Sequence, residues 1–230
     1  MKKGNKILIA VLTALMVLAM GSMAQAKTSK PVAPKKVYMD IFGQYVGGAA
    51  QHDPAQGEII IKNLAKNAKV KLLSGDVELA KYYNSRTKKL WVGVSQKLND
   101  DFLYEDVPVG TTREITFQVK QNKKTYTLST TLVWRYYPYP IKSIKIGGKK
   151  IANSYKKTGE FPVYELGSKK HPVIKYSVKK GIRKGGVYIL RGNKYVKYTS
   201  KVKLRKGDII CLEFMEKSWA KYDCLYIPVV

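Results

Sequence analysis

Residues 111–134, TTREITFQVKQNKKTYTLSTTLVW, decide the fold of this chain. Apolar and polar residues alternate on both sides of the polar stretch at 121–124: Ile115, Phe117 and Val119 come before it, and Leu128 and Leu132 come after it. A period of two places successive side chains on opposite faces of a strand. The pattern therefore predicts two antiparallel strands around a short turn, with one face buried.

The sequence before this hairpin has the same character. Short β-branched or alternating runs are separated by turn residues every eight to twelve positions, which is typical of a β-sandwich. The runs lie at 37–46, 58–62, 68–73, 77–83 and 90–94. Residues 37–137 are therefore predicted to form one immunoglobulin-like β-sandwich, completed by the hairpin.

A second unit is predicted after the segment Tyr-Tyr-Pro-Tyr-Pro at 136–140. Proline cannot continue a central strand, so residues 138–140 mark a junction, whose tyrosines are expected to pack between the units. Further short apolar runs follow at 141–146, 161–166, 173–178, 187–190, 194–198, 209–214 and 222–229. Residues 141–230 are predicted to form a second, basic sandwich, so the whole chain is predicted to be all-β.

Two parts of the sequence resemble known proteins. Residues 59–64 (IIIKNL), the turn at 73–76 (LSGD) and residues 110–134 resemble bacterial immunoglobulin-like domains of the group 2 type. That resemblance implies a spacer or adhesion module on a cell-surface protein. Here Ser74-Gly75-Asp76 replaces the tight Ser-Asn turn of the family, and the segment 99–109 is longer than usual. Residues 141–230 resemble C-terminal β-modules of secreted proteins from Gram-positive bacteria, whose function is open.

The N-terminus predicts export. Lys2, Lys3 and Lys6 precede an apolar run at 7–20, and Ala-Gln-Ala at 24–26 suits a signal peptidase. An uncleaved anchor is the alternative, but these 14 residues would span roughly 21 Å as a helix, short of a roughly 30 Å hydrocarbon core. Residues 1–26 are predicted to be a signal peptide and 27–36 a linker. The mature protein is then secreted or cell-wall associated, with no integral membrane span.

Charge is the strongest signal of composition. Lys and Arg number 43 against 16 Asp and Glu, a net charge of +27. Residues 27–138 hold 18 basic and 10 acidic residues, whereas residues 139–230 hold 22 and 6. Such a surface attracts polyanions outside the cell, such as an anionic cell-wall polymer or glycan, with nucleic acid also possible. The alternative is that lysines only keep a β-protein soluble and protect its sheet edges.

The two cysteines, Cys211 and Cys224, are predicted to form a disulfide. If the last two strands pair Phe214 with Lys221, the two cysteines face each other, within disulfide range. An oxidising compartment would favour the bond. The alternative is two buried, unpaired thiols.

Catalytic and metal-binding patterns are sparse. His52 stands in His-Asp-Pro and His171 in Lys-His-Pro, both in predicted turns. The sequence offers neither histidine a second His or Cys at ligand spacing. The acidic residues Asp100, Asp101, Glu105 and Asp106 could hold Ca²⁺ or dock against the basic unit. Their spacing matches no known calcium loop. No catalytic motif occurs, so we predict a non-enzyme with neither cofactor nor metal.

Basic and aromatic residues interleave between residues 175 and 206, a pattern that suits glycans or stacked bases. The alternative is that the tyrosines face a core and the lysines face water. Trp219 in a predicted loop is a separate contact candidate. The predicted binding residues are Trp219, Lys201, Lys203, Arg205, Tyr195 and Tyr198.

The sequence thus predicts a secreted, non-enzymatic envelope-associated binding or adhesion module, whose basic surface contacts anionic polymers or glycans. Two alternatives remain at this point. One is a structural spacer without a ligand of its own, and the other is a secreted hydrolase whose site assembles from loops.

Overall fold

The chain is all-β. A computed structural model describes residues 29–46, 49–86, 88–97, 106–168, 170–216 and 222–230, and within these ranges it contains sixteen strands and one four-residue helix. The strands form two groups of sheets, one before and one after the Tyr-Pro segment at 136–140. We refer to residues 29–138 as the N-terminal half and to residues 139–230 as the C-terminal half.

The N-terminal half is built on one seven-stranded sheet, in the order β5-β8-β9-β1-β4-β7-β6. The edge strands β5 and β6 are joined by a turn that contains Gly75 and are in contact, so the sheet closes on itself as a sandwich. The strands of this half are β1 (Lys36–Ile41), β2 (Gly43–Val46), β3 (Ala49–His52), β4 (Gln56–Ile59), β5 (Lys69–Ser74), β6 (Val77–Asn84), β7 (Lys89–Gln96), β8 (Thr112–Gln121) and β9 (Lys124–Tyr136).

The hairpin predicted at 111–134 is confirmed. β8 and β9 pair antiparallel from Thr112 opposite Val133 to Gln121 opposite Lys124. Asn122 and Lys123 form a two-residue turn with positive φ angles of 50° and 60°, which matches the twist of the strands it joins. The alternating residues Ile115, Phe117 and Val119 are buried, together with Leu132 and Trp134. They pack with Met39, Ile59 and Val92 into the core of this half.

The C-terminal half contains a three-stranded sheet, β11-β10-β12, and a four-stranded sheet, β14-β13-β15-β16. Ile144, Tyr176, Ile210, Phe214 and Ile227 belong to the core that both sheets share. The elements are β10 (Ile141–Ile146), β11 (Lys149–Ile151), α1 (Tyr155–Thr158), β12 (Ile174–Val178), β13 (Ile182–Arg191), β14 (Lys194–Lys197), β15 (Ile209–Glu216) and β16 (Tyr222–Pro228).

One strand predicted for the C-terminal half is wrong. The run 161–166 forms no strand among the described residues and contributes one isolated bridge, Tyr164 with Val229. In β13, which begins at Ile182, a bulge lies between Lys184 and Val187. The physical reason is that Gly185 leaves room for the side chain of Glu213, whose carboxylate accepts a hydrogen bond from the Gly186 N–H.

The first predicted strand, 37–46, is also wrong as a single element. β1 ends at Ile41, and β2 and β3 form a separate antiparallel hairpin. This hairpin leaves the N-terminal sheet and packs on the C-terminal half, where Phe42 and Tyr45 lie against the core. Gly43 permits the approach, because a Cβ there would lie 2.4 Å from the Phe161 ring.

Aromatic residues of the junction pack between the two halves, as the sequence predicts. Tyr137 stacks on Phe42 with 4.2 Å between ring centroids. The Tyr139 hydroxyl donates to the Gly43 carbonyl at 2.9 Å and accepts from the Gly43 N–H at 3.2 Å. Tyr155 of α1 packs edge-on against Tyr139 at 5.0 Å. The hairpin and the junction therefore share one aromatic cluster.

Several predictions lie outside the described residues. These are the signal peptide at 1–26, the cleavage site, most of the acidic loop including Asp100, Asp101 and Glu105, and Trp219. Within the ranges that the structure describes, no helix is long and apolar enough to cross a membrane.

Candidate binding surfaces

The predicted binding residues Lys201, Lys203 and Arg205 lie on an extended segment, since residues 198–208 carry no strand. The alternation of burial nevertheless holds, since Lys201, Lys203 and Arg205 are exposed while Leu204 between them is buried. The three cations therefore face solvent because Leu204 and Val202 pack inward against the C-terminal core.

An ion pair that sequence reasoning missed holds this segment in place. Arg191, the last residue of β13, donates to both carboxylate oxygens of Asp208 at 2.7 Å. The same guanidinium donates to the Lys203 carbonyl at 2.8 Å, and the Arg205 N–H donates to Asp208 at 2.9 Å. Asp208 is 2% exposed. The hydrogen bond to Asp208 raises the pKa of Arg191, and this charge-assisted contact fixes the loop to the strand.

Further cations lie near the Arg191–Asp208 ion pair. Lys194 pairs with Arg191 across the β13–β14 turn, and Lys197 lies further along β14. The Lys170 carbonyl accepts from the Leu204 N–H at 2.8 Å, which brings Lys170 to the same region. We define the basic surface as the exposed residues Lys194, Lys197, Lys201, Lys203, Arg205 and Lys206.

Acidic side chains of the C-terminal half are largely engaged elsewhere. Asp208 is buried with Arg191, and Glu213 accepts from Gly186 at 3.0 Å. Glu216 accepts from the Tyr137 hydroxyl at the junction between the halves. The carboxylate of Asp223 accepts from the Cys224 N–H. Four of the six acidic residues of this half therefore hold the fold together, and the positive charge of the surface is left largely uncompensated.

The two predicted tyrosines differ in their availability. Tyr195 on β14 is 55% exposed, and its hydroxyl lies 3.4 Å from that of Tyr226. Tyr198 is half-buried against the C-terminal core and donates to the Pro172 carbonyl at 2.6 Å. Tyr195 is thus placed beside the exposed lysines of β14, whereas Tyr198 is a packing residue, as the alternative interpretation held.

The predicted register of the last two strands is wrong by two residues. Cys211 lies opposite Tyr226, and Cys224 lies opposite Glu213. The cysteines are diagonal neighbours on one face, and each carries a free thiol. A hydrogen bond with the Cys224 sulfur, together with burial, raises the pKa of the Cys211 thiol. The predicted disulfide is therefore absent from the structure. In the observed register, Phe214 pairs with Asp223 rather than with Lys221.

His52 is a structural neighbour of the aromatic cluster. His52 lies at the end of β3, not in a turn, and its Nε2 is 3.2 Å from the Gly159 carbonyl. Its ring lies 5.5 Å from Tyr136. In the part of the chain that the structure describes, no group of three or more His, Cys, Asp or Glu side chains is placed to hold a metal ion.

Comparisons with known proteins do not place the chain in a family. No protein-family model matches it, and no curated protein matches it either. The resemblance to group 2 bacterial immunoglobulin-like domains therefore stays a prediction.

Solved structures similar to this chain include fragments of titin, of a protocadherin and of OTK. An I-band fragment, I67–I69, from titin is 9% identical with a TM-score of 0.24, covering 87% of this chain and 65% of the fragment. The human protocadherin-24 fragment EC1-2 is 12% identical, with a TM-score of 0.24 and coverage of 88% and 98%. Extracellular domains 3–5 of Drosophila OTK are 8% identical, with a TM-score of 0.23 and coverage of 88% and 62%. Scores this low carry no argument about function.

Proposed function

We propose that this chain is a secreted, non-enzymatic binding protein of the cell envelope, and that its basic C-terminal half contacts an anionic polymer. The observation that carries the proposal is the basic surface itself. Six exposed cations lie on one hairpin and one loop, held together by the pairing of Arg191 with the buried Asp208. Four of the six acidic residues of this half are hydrogen-bonded within the fold.

The chemistry of the surface favours a polymer with repeated negative charges. Lysine side chains are flexible point charges, which suit an irregular phosphate or sulfate chain better than a single planar group. Tyr195 offers an exposed ring between Lys194 and Lys197 that can pack against the backbone of a sugar or polyol. Teichoic-acid-like polymers, sulfated glycans and nucleic acid share this chemistry, and binding assays separate them.

The test measures the affinity for poly(glycerol phosphate), heparin and duplex DNA across a salt series. Binding through several ionic contacts should weaken linearly in log–log form as salt rises. The triple variant of Lys201, Lys203 and Arg205 to Ala should lower the affinity about tenfold and reduce the salt slope.

A matched control removes the same charge elsewhere. Lys69, Lys71 and Lys120 are exposed on β5 and β8 of the N-terminal half. Their triple Ala variant should bind like the parent protein. If both triple variants lose the same affinity, net charge alone drives binding. Retention on isolated cell walls in about 0.5 M salt would contradict charge-driven attachment.

A further inference from the structure

A groove on the outer face of the N-terminal sandwich is not explained by the basic surface. It lies across β4, β7 and β6, on the side opposite to the core residues Ile59 and Val92. Its volume is about 560 Å³, within the range of small-ligand sites. Residues of all three strands line it, among them Gln56, Glu78, Tyr82, Trp91 and Ser95, whereas Lys81 does not.

Three cross-strand rows make up the floor and walls of this groove. The first row is polar, with Glu78, Ser95 and Gln56 opposite one another. The second row contains Ala80 beside Gly93, and Glu58 of β4 lies opposite Gly93 in an ion pair with Lys89 at 2.6 Å. Successive rows on one face are about 7 Å apart, so the small residues Ala80 and Gly93 leave a trough between the polar row and the next one, closed on the β4 side by Glu58.

The third row is aromatic. Tyr82 pairs with Trp91 across β6 and β7, and their rings stack with 5.5 Å between centroids and 26° between planes. Gly93 lets the tyrosine ring lean over the trough, because a Cβ at that position would lie 2.6 Å from the ring. Tyr82 is 49% exposed, whereas Trp91 beneath it is 9% exposed. The buried tryptophan therefore supports an exposed aromatic platform.

The lining of the groove carries no basic residue. The chain carries 43 basic residues, yet none of the lining residues is Lys or Arg. Lys89, whose Nζ lies 5.1 Å from the centroid of the Trp91 ring, is paired with Glu58, and Glu78 contributes an exposed carboxylate at the rim. The groove therefore offers an anionic polymer few cationic partners, whereas a neutral polyhydroxylated ligand needs none. Its apolar C–H face can pack on the tyrosine ring, and its hydroxyls can donate to Glu78 and exchange hydrogen bonds with Ser95 and Gln56.

We propose that this groove binds a neutral glycan, with a pyranose ring on Tyr82 and its hydroxyls directed toward the polar row. The proposal does not depend on the anionic polymer, since the two surfaces lie in different halves. The sequence signal for it is the alternation of Glu78, Ala80 and Tyr82 opposite Trp91, Gly93 and Ser95. Sequence alone does not show that these two runs pair.

The experiment titrates the full chain with cellohexaose, maltohexaose and chitohexaose by calorimetry. We expect at least one of the three to bind, and its affinity to change less than about twofold as salt rises tenfold, because the groove makes no ionic contact to a neutral sugar. Tyr82→Ala should weaken binding about tenfold. Glu78→Gln should weaken it about threefold, since the amide keeps one acceptor.

Tyr83→Ala is the matched control. Tyr83 is the next residue on β6, is 37% exposed and faces away from the groove, under the Lys66 ammonium at 4.5 Å. The Tyr83→Ala variant should bind sugar like the parent, and circular dichroism should show that the Tyr82→Ala and Tyr83→Ala variants are both folded. The proposal is overturned if none of the three sugars binds at about 10 mM, if Tyr82→Ala binds as tightly as the parent, or if Tyr83→Ala loses as much affinity. If the parent protein binds a sugar but none of the polyanions, only the function proposed for the basic surface is overturned.

Discussion

At the scale of single residues, Arg191 and Asp208 do more than any exposed lysine to shape the basic surface. A carboxylate that is 2% exposed costs several kcal/mol to desolvate unless it is paired and hydrogen-bonded. Arg191 meets that need with a two-point contact through Nε and Nη2, and Nη2 also donates to the Lys203 carbonyl. One buried acid thereby fixes the position of a loop that carries several exposed cations.

Arg191→Ala should lower the free energy of unfolding by about 2 kcal/mol, because it leaves Asp208 buried without its partner. The figure is below that of a fully buried pair, since the Arg191 side chain is 35% exposed. Urea denaturation followed by circular dichroism measures it. Arg191→Lys should lose about half as much, because lysine keeps the charge but not the planar fork. Lys194→Ala, in the residue opposite on β14, should stay within about 0.5 kcal/mol of the parent. Equal losses in the three variants would contradict this role for Arg191.

At the scale of elements, the β2–β3 hairpin is the part of the fold that joins the two halves. It belongs to the N-terminal half in sequence, yet Phe42 and Tyr45 pack on the C-terminal core. Its attachment combines ring contacts with the paired hydrogen bonds between Gly43 and Tyr139. Because both backbone groups of Gly43 are satisfied by one hydroxyl, the hairpin has a defined depth against the C-terminal half.

Gly43→Ala should destabilise the protein by about 1–3 kcal/mol, because the added methyl group overpacks the aromatic cluster. Its Cβ would lie 2.4 Å from Phe161 and 2.7 Å from Tyr155. Gly167→Ala is the control, since no heavy atom lies within 4 Å of the Cβ that it adds. Thermal unfolding should show a lower midpoint for the first variant and an unchanged one for the second. An unchanged midpoint for Gly43→Ala would mean that the hairpin is not held against the C-terminal half.

At the scale of the whole molecule, buried tyrosines at the junction couple its stability to pH. Burial raises the pKa values of Tyr137, Tyr139 and Tyr155, and the hydrogen bond to Glu216 raises that of Tyr137 further. In the unfolded chain these phenols ionise near their ordinary pKa of about 10. The folded protein then holds more protons than the unfolded one, so stability is fully present below about pH 10 and falls as pH rises above it.

Each such tyrosine should remove about 1.4 kcal/mol of stability per pH unit above about pH 10. Urea denaturation between pH 8 and 11, with tyrosinate absorbance recorded in parallel, measures the loss. Tyr155→Phe removes one of these phenols, so the stability lost per pH unit should be smaller by the contribution of one tyrosine. The Tyr155 hydroxyl makes only a 3.5 Å hydrogen bond to the Ile41 carbonyl, so the substitution removes little else. Tyr195→Phe at an exposed site is the control for general alkaline effects. Ionisation of all tyrosines near pH 10 in a protein that stays folded would contradict this coupling.

Local pattern determined much of this protein. The alternation of Ile115, Phe117 and Val119 with polar neighbours is enough to predict β8 and its buried face, because period two is a property of the strand itself. The alternation at 201–205 also suggests that Lys201, Lys203 and Arg205 share one face, and they do, although the segment is extended rather than a strand. Composition likewise fixes the net charge and its excess in the C-terminal half.

Only the tertiary structure decided which surfaces come together. The register of β15 and β16 separates Cys211 from direct opposition to Cys224, and register depends on packing across the whole sheet. The β2–β3 hairpin crosses to the other half because Gly43 fits against Phe161 and Tyr155, which are more than 100 residues away. The Arg191–Asp208 pair and the Tyr82–Trp91 platform arise in the same way. Each depends on contacts between strands or loops that local sequence patterns do not encode.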